Sequence, residues 1–186
     1  MESHTGPRLD DIYRLFSEQD SIPDHHTVDE REIPEPYRRL LVHPHHMTVT
    51  VEEYYRSPVN VQVLARAQAG NYYSRQIVLA LNSTGQIVQF GIVRINLDQC
   101  SQRVRDAILA EKTPLGRILI ENDVMRRIEP TSYLRIRTDA ILMQTFGLSM
   151  PCDVWGRLAI IHCDGQPAIE LLEVLAPIDD AHSSAR

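Results

Sequence analysis

Three features of this 186-residue chain could do chemistry, and two of them, an arginine and a helix start, suit an anion. Arg75 begins a run in which it shares its phase with Ile77, Leu79 and Leu81. Alternate strand residues share a face, so the guanidinium is directed towards the apolar side. A charge there is costly unless it is paired or hydrogen-bonded. An arginine near a strand end also commonly snorkels to water or closes an ion pair, and the spacing leaves both readings open. Glu173 poses the complementary question. Within Ala168 to Ala176, Ile169, Leu171 and Glu173 share one face, while Glu170, Leu172 and Val174 share the other. One of the two glutamates must therefore face the more apolar side, or a bulge changes the count. A carboxylate opposite Arg75 would be half of a ligand-binding pair or half of a salt bridge. The third feature is Thr113-Pro114-Leu115-Gly116, which reads as a helix start with Thr113 as N-cap and Pro114 in the first position. Such a terminus offers free N–H groups and a positive dipole end to a carboxylate, or is simply a well-capped helix.

Other chemistries find less support. His43-Pro44-His45-His46 is the most visible metal candidate, because imidazole ligates zinc readily. Pro44 breaks helical spacing, however, and no cysteine or carboxylate stands in a partner pattern. These residues, like His25-His26, read as solvated loop histidines, and no metal site is expected. There is no Gly-x-Ser-x-Gly elbow and no glycine-rich phosphate loop. His162 and Cys163 are strand neighbours that point to opposite faces and so form no dyad.

The elements that must position these residues follow from periodicity. Leu9, Ile12, Leu15 and Phe16 give a short amphipathic helix, and the acidic, Pro-containing stretch Ser21 to Pro36 reads as a linker. Further helices are expected from Pro36 and over Met47 to Arg56, the latter weakened by Thr48, Val49, Thr50 and Val51. From Val59 the period becomes two. Strands are expected over Val59–Gln68, Tyr73–Leu81 and Gln86–Ile95, with turns at Gly70-Asn71 and Asn82-Ser83-Thr84-Gly85. Connections this short make the pairing antiparallel. Helices then follow over Asp98–Glu111 and from Thr113. Next come a strand over Arg126–Arg137 with a bulge or edge at Pro130, a helix over Asp139–Gly147, and a final hairpin turning at Asp164-Gly165. The sum is an α+β fold: a mostly antiparallel sheet of five or six strands, interrupted by a helix–turn–helix. The division expected is an N-terminal helical and acidic annex over 1–40, one domain over 41–177 and a flexible tail over 178–186.

Composition bounds the function. With 43% hydrophobic and 24% charged residues the chain is an ordinary globular one, long enough for a core without staples. A net charge of -6, with no block of lysine and arginine, argues against a nucleic-acid partner. No apolar run is long enough to span a bilayer, so no membrane partner is expected. Three cysteines, Cys100, Cys152 and Cys163, with a polar N-terminus lacking an apolar signal segment, suggest reduced thiols and a cytoplasmic location.

Several segments together resemble the chorismate pyruvate-lyase (4-hydroxybenzoate synthetase) family. Lys112-Thr113-Pro114-Leu115-Gly116-Arg117 is similar to its Lys-Thr-Pro-Leu-Gly-Arg helix start. Tyr73-Ser74-Arg75-Gln76-Ile77-Val78-Leu79 is similar to the strand bearing its substrate arginine. Val154-Trp155-Gly156-Arg157, Asp164-Gly165-Gln166-Pro167 and Glu173-Val174-Leu175-Ala176-Pro177 resemble its ending. The resemblance runs from about Leu40 to Pro177. The chain departs from the family in a longer N-terminal annex, in an insertion between Ile128 and Trp155, and at a second basic residue. The nearest candidate for that residue, Arg94, stands two residues out of phase.

The resemblance implies a six-stranded antiparallel sheet with flanking helices and helix–turn–helix flaps over an internal ligand cavity. It implies that Arg75 and Glu173 are the catalytic pair, Arg75 binding the ring carboxylate and Glu173 the 4-hydroxyl. Met47, Leu115 and Gly116 would be substrate-binding, with backbone amides near Met47 and Leu115 completing the carboxylate site. The implied reaction is a carbon–oxygen lyase reaction: chorismate loses pyruvate and gives 4-hydroxybenzoate, a quinone or secondary-metabolite precursor, without a cofactor. The competing classes are a non-catalytic binding or sensor protein for an aromatic acid on the same fold, a different reaction on a related cyclic carboxylate, and an inert fold in which Arg75 and Glu173 pair with each other. The regulator form of the sensor would carry a winged-helix domain, for which the first fifty residues are short and acidic.

Overall fold

The computed structural model describes residues 6–16 and 22–178. The helices are α1 (Leu9–Tyr13), α2 (Tyr37–Leu41), α3 (Met47–Tyr55), α4 (Gln102–Leu109), α5 (Leu115–Glu121) and α6 (Ala140–Phe146). The strands are β1 (His25–Val28), β2 (Val59–Ala69), β3 (Tyr72–Leu81), β4 (Ile87–Asn96), β5 (Arg126–Arg137), β6 (Asp153–Cys163) and β7 (Gln166–Leu175). They form one antiparallel sheet in the order β1-β5-β6-β7-β4-β3-β2.

The sheet has seven strands, where six were expected. The additional one is β1, which lies within the stretch read as a linker and pairs His25–Val28 with Tyr133–Ile136 of β5. Its sequence, His-His-Thr-Val, carries no alternation of its own, and the hydrogen-bonding edge of β5 supplies what the local pattern lacks. The expected tail falls on residues 179–186, which lie outside the described residues, apart from Ile178.

Both faces of the sheet are covered. On one side α1 and α6 place Leu9, Ile12, Tyr13 and Leu142 on Phe90, Ile92, Leu158, Leu172 and Val174. On the other, α3, α4 and α5 pack over Ile77, Leu79, Val93, Ile161 and Leu171. This explains why nine of the ten residues of β3 are buried, since a strand covered on both faces reads as a near-continuous apolar run. Edge strand β2 keeps one wet face and alternates.

Helix α3 forms despite its β-branched run. Met47, Thr48 and Val51 are buried, and Glu52 accepts from the Val59 amide and from Arg117 on α5. Tertiary contacts outweigh a weak intrinsic propensity here. Helix α5 begins at Leu115 rather than Pro114, because Pro114 is extended at ψ 140°, and Thr113 provides no side-chain cap. Gly147, at φ +67°, ends α6 as its position in the sequence suggested.

Candidate binding site: an unpartnered arginine inside the sheet

The residues of one sheet face meet under α3 and α5 in a cavity of about 50 Å³. Met47, Arg75, Leu115, Gly116 and Glu173, all singled out in the sequence, line it. Gln89, Gly91 and His46 line it too, and sequence reasoning passed over them. The register explains the arrangement. Ile77, Gly91, Glu173 and Arg157 stand side by side across β3, β4, β7 and β6. Arg75 is one row to one side of them, opposite Val93, and Gln89 one row to the other, opposite Leu175. Gly91 has no side chain, so the floor between the two polar ends is open, with Ile77 leaning over it.

Arg75 is 1% exposed and neither snorkels nor pairs. Its Nε and Nη1 are buried without a hydrogen-bond partner, and no ion pair reaches its guanidinium among the described residues. Burial pulls its pKa below the ordinary value, opposed in part by Tyr73 and Glu111. The Glu111 carboxylate is committed elsewhere: it accepts from the Tyr73 hydroxyl and from Arg66. A β-bulge between Val63 and Ala65 brings Arg66 into register with Arg75. Because arginine stays charged in proteins, an uncompensated cation points into the cavity.

Glu173 does not pair with Arg75. Its Oε2 accepts from Arg157 Nε at 2.6 Å, and its Oε1 meets no donor among the described residues. Arg157, 1% exposed, also donates to the carbonyls of Leu41, His43 and His45 at 2.8–3.1 Å. It thus ties the loop ahead of α3 to the sheet. Its signal in the sequence was an arginine in phase with Ala159 and Ile161 in an apolar strand. Gln89 gave a similar signal, a polar residue in phase with Gly91 and Val93, and its Oε1 is buried without a partner. Glu170 faces the opposite side with Arg94, so Arg94 contributes nothing to the cavity.

His43 and His46 are held by the fold rather than loosely solvated, whereas His26 and His45 are exposed as expected. His43 Nε2 donates to the Leu40 carbonyl, and His46 Nε2 accepts from Arg126 Nε at 2.8 Å. Burial first, and then the charges of Arg157 or Arg126, lower the pKa of each to about 4. Among the described residues no group of three histidines, cysteines or acidic side chains could hold a metal ion. Unfolded histidine protonates near pH 6.5 whereas these two resist until about pH 4. The unfolded chain therefore binds more protons in that window, and stability is lost as pH falls through it. We expect the urea midpoint to drop steadily from pH 6.5 to 4.5, and His46→Gln to flatten the profile by about 1–2 kcal/mol after discounting for solvent screening. An unchanged profile in His46→Gln would show that this imidazole is protonated equally easily in both states.

Gly116 has a tight structural requirement. A Cβ added there would lie 2.9 Å from Cβ and Cγ of His46. Gly to Ala ordinarily stabilises a helix by up to about 1 kcal/mol. Here Gly116→Ala should instead destabilise by about 1–3 kcal/mol as α5 is pushed off His46. Chemical denaturation measures the sign.

No family model matches the sequence, and no curated protein matches it. Solved structures do match. The effector domain of PhnF from Mycobacterium smegmatis superimposes with a TM-score of 0.51 at 11% identity, over 73% of this chain and 90% of that one. The chain spans 65% of the longer PhnF chain, at 9% identity and the same TM-score. A ligand-binding domain assigned to a GntR-family transcriptional regulator from Bordetella bronchiseptica gives 0.50 at 14% identity, over 65% and 86% of the two chains. The fold is that of these domains. At such identities the likeness extends to the fold alone. Among the described residues, no helix is long and apolar enough to cross a membrane.

Proposed function

We propose that this protein is a small-molecule binding domain whose ligand carries a carboxylate, held by Arg75 inside the sheet. The observation that carries this reading is the fully buried guanidinium with two unpartnered nitrogens. Keeping such a charge dry and uncompensated costs several kcal/mol, which an anionic ligand with hydrogen-bond acceptors would offset. Gln89 and the free oxygen of Glu173, at the other end of the cavity, suit a hydroxyl or another donor on the same ligand. Effector and ligand-binding domains of regulators share the fold, which favours binding over catalysis.

Titration with 4-hydroxybenzoate, benzoate and the neutral analogue benzamide tests the charge requirement. At about 100 times Kd the acids should stabilise by about 2.7 kcal/mol and raise Tm by roughly 5–10 °C, while benzamide gives no shift. Equal shifts from acid and amide would remove Arg75 as the determinant.

A second reading, pyruvate elimination from chorismate, is favoured by one observation. Glu173 stands on the cavity face, one register row from Arg75, with an oxygen free to meet the substrate. Loss of pyruvate makes the ring aromatic, so the driving force lies in the substrate. The carbinol hydrogen passes to the enolpyruvyl methylene as the ether C–O bond breaks. The site would supply orientation and a water-poor enclosure, with no cofactor required. On this reading Arg75→Ala costs mainly affinity and Glu173→Ala mainly turnover. Equal amounts of 4-hydroxybenzoate and pyruvate from chorismate, lost in Arg75→Ala, would establish the lyase. Unchanged chorismate together with bound hydroxybenzoate would assign a binding module.

A further inference from the structure

The cavity around Arg75 encloses about 50 Å³, room for a carboxylate and few further atoms, whereas small-molecule sites usually measure about 300–1,000 Å³. Against it, between α3, α5 and the start of β5, lies an open cleft of about 650 Å³. One side chain, His46, lines both spaces. The residue is 8% exposed, and among the described residues its one side-chain hydrogen bond comes from Arg126, which also lines the cleft. The cleft lining mixes polar groups, Glu53 and Arg127 among them, with apolar ones contributed by α3, α5 and β5, of which Val49 and Ile120 are left 36% and 38% exposed and Ile128 is buried.

Resting on the carboxylate reading above, we propose that the ligand is an elongated carboxylic acid. Its head group is bound at Arg75, and its apolar body lies in the outer cleft against Val49, Ile120 and Ile128, with the His46 imidazole as the movable partition between the two. The partition can turn because Arg126 holds the ring by a single hydrogen bond on the cleft side. Gly116 is the reason the ring can sit so close to α5. A rigid acid enclosed entirely beneath α3 and α5 would require those helices to lift. Arg117–Glu52, which also holds the first residue of β2, clips them together.

The test is a series of acetate, benzoate and 4-phenylbutyrate, with Kd from calorimetry and from thermal shift for the weakest. Phenylbutyrate should bind at least 10-fold more tightly than acetate. Val49→Glu and Ile120→Glu, at positions exposed enough to tolerate a charge, should erase that gain and leave acetate unchanged. His46→Ala should speed association of phenylbutyrate several-fold, and an unchanged association rate would overturn the partition. A gain that survives both glutamate variants, or tightest binding by benzoate with no dependence on the cleft, would overturn the two-chamber ligand while leaving the carboxylate site standing. Failure of all three acids to bind, or equal binding by Arg75→Met, would overturn the carboxylate reading and this one with it.

Discussion

Replacing Arg75 by methionine should make the unliganded protein more stable and abolish its response to carboxylates. The guanidinium is buried with Nε and Nη1 unsatisfied, so the folded state bears a desolvation cost that the unfolded chain does not. Methionine fills a similar volume without that cost. Replacement of buried charges by apolar groups of similar size gains about 1–4 kcal/mol in other proteins, and an unpaired charge belongs towards the upper end. At about 2–4 °C per kcal/mol for a chain of this length, Tm should rise by roughly 5–15 °C. Affinity for benzoate-type acids should fall about 100-fold or more, as expected when one member of a buried charge pair is removed. Thermal denaturation with and without ligand reads both effects. A loss of stability in Arg75→Met would mean that the guanidinium has a partner in the free protein, and the anion site would lose its main support.

Arg157→Met should have the opposite sign at the same depth. Arg157 is as buried as Arg75, but each of its contacts is made to the protein: Glu173 Oε2 and the carbonyls of Leu41, His43 and His45. Its loss leaves a carboxylate and the carbonyls of His43 and His45 without this donor, while the Leu41 carbonyl keeps only the His43 amide. We expect a cost of about 3–5 kcal/mol and a fall in Tm of roughly 10 °C. The double variant Arg157→Met/Glu173→Leu should recover part of this, because the stranded carboxylate is gone, but not the part owed to the loop carbonyls. Hydrogen exchange separates the two contributions. Amides over residues 42–47 should lose protection in both variants, and those of β7 chiefly in the single one. Full stability in Arg157→Met would show that the loop ahead of α3 is held by other contacts.

Two buried arginines in one sheet, one satisfied and one not, also mark how far the sequence could be read. Period-two runs from Val59, the turn residues and the apolar stripes are local properties of the chain, and they determined an antiparallel α+β sheet with helices between β4 and β5. They placed Arg75 on an inner face and left Glu173 and Glu170 as alternatives on opposite faces. Strand β1 escaped because four residues of His-His-Thr-Val carry no period, and their pairing is decided by the free edge of β5. The register of β7 with β4 and β6 is a tertiary fact. It decided that Glu173 meets Arg157, that Arg94 takes Glu170 on the other face, and that Arg75 is left with an empty guanidinium. A sequence states which side chains are charged and which face of a strand they occupy. Whether a charge finds a partner depends on groups brought within about 3 Å from distant segments, and only the folded chain determines that.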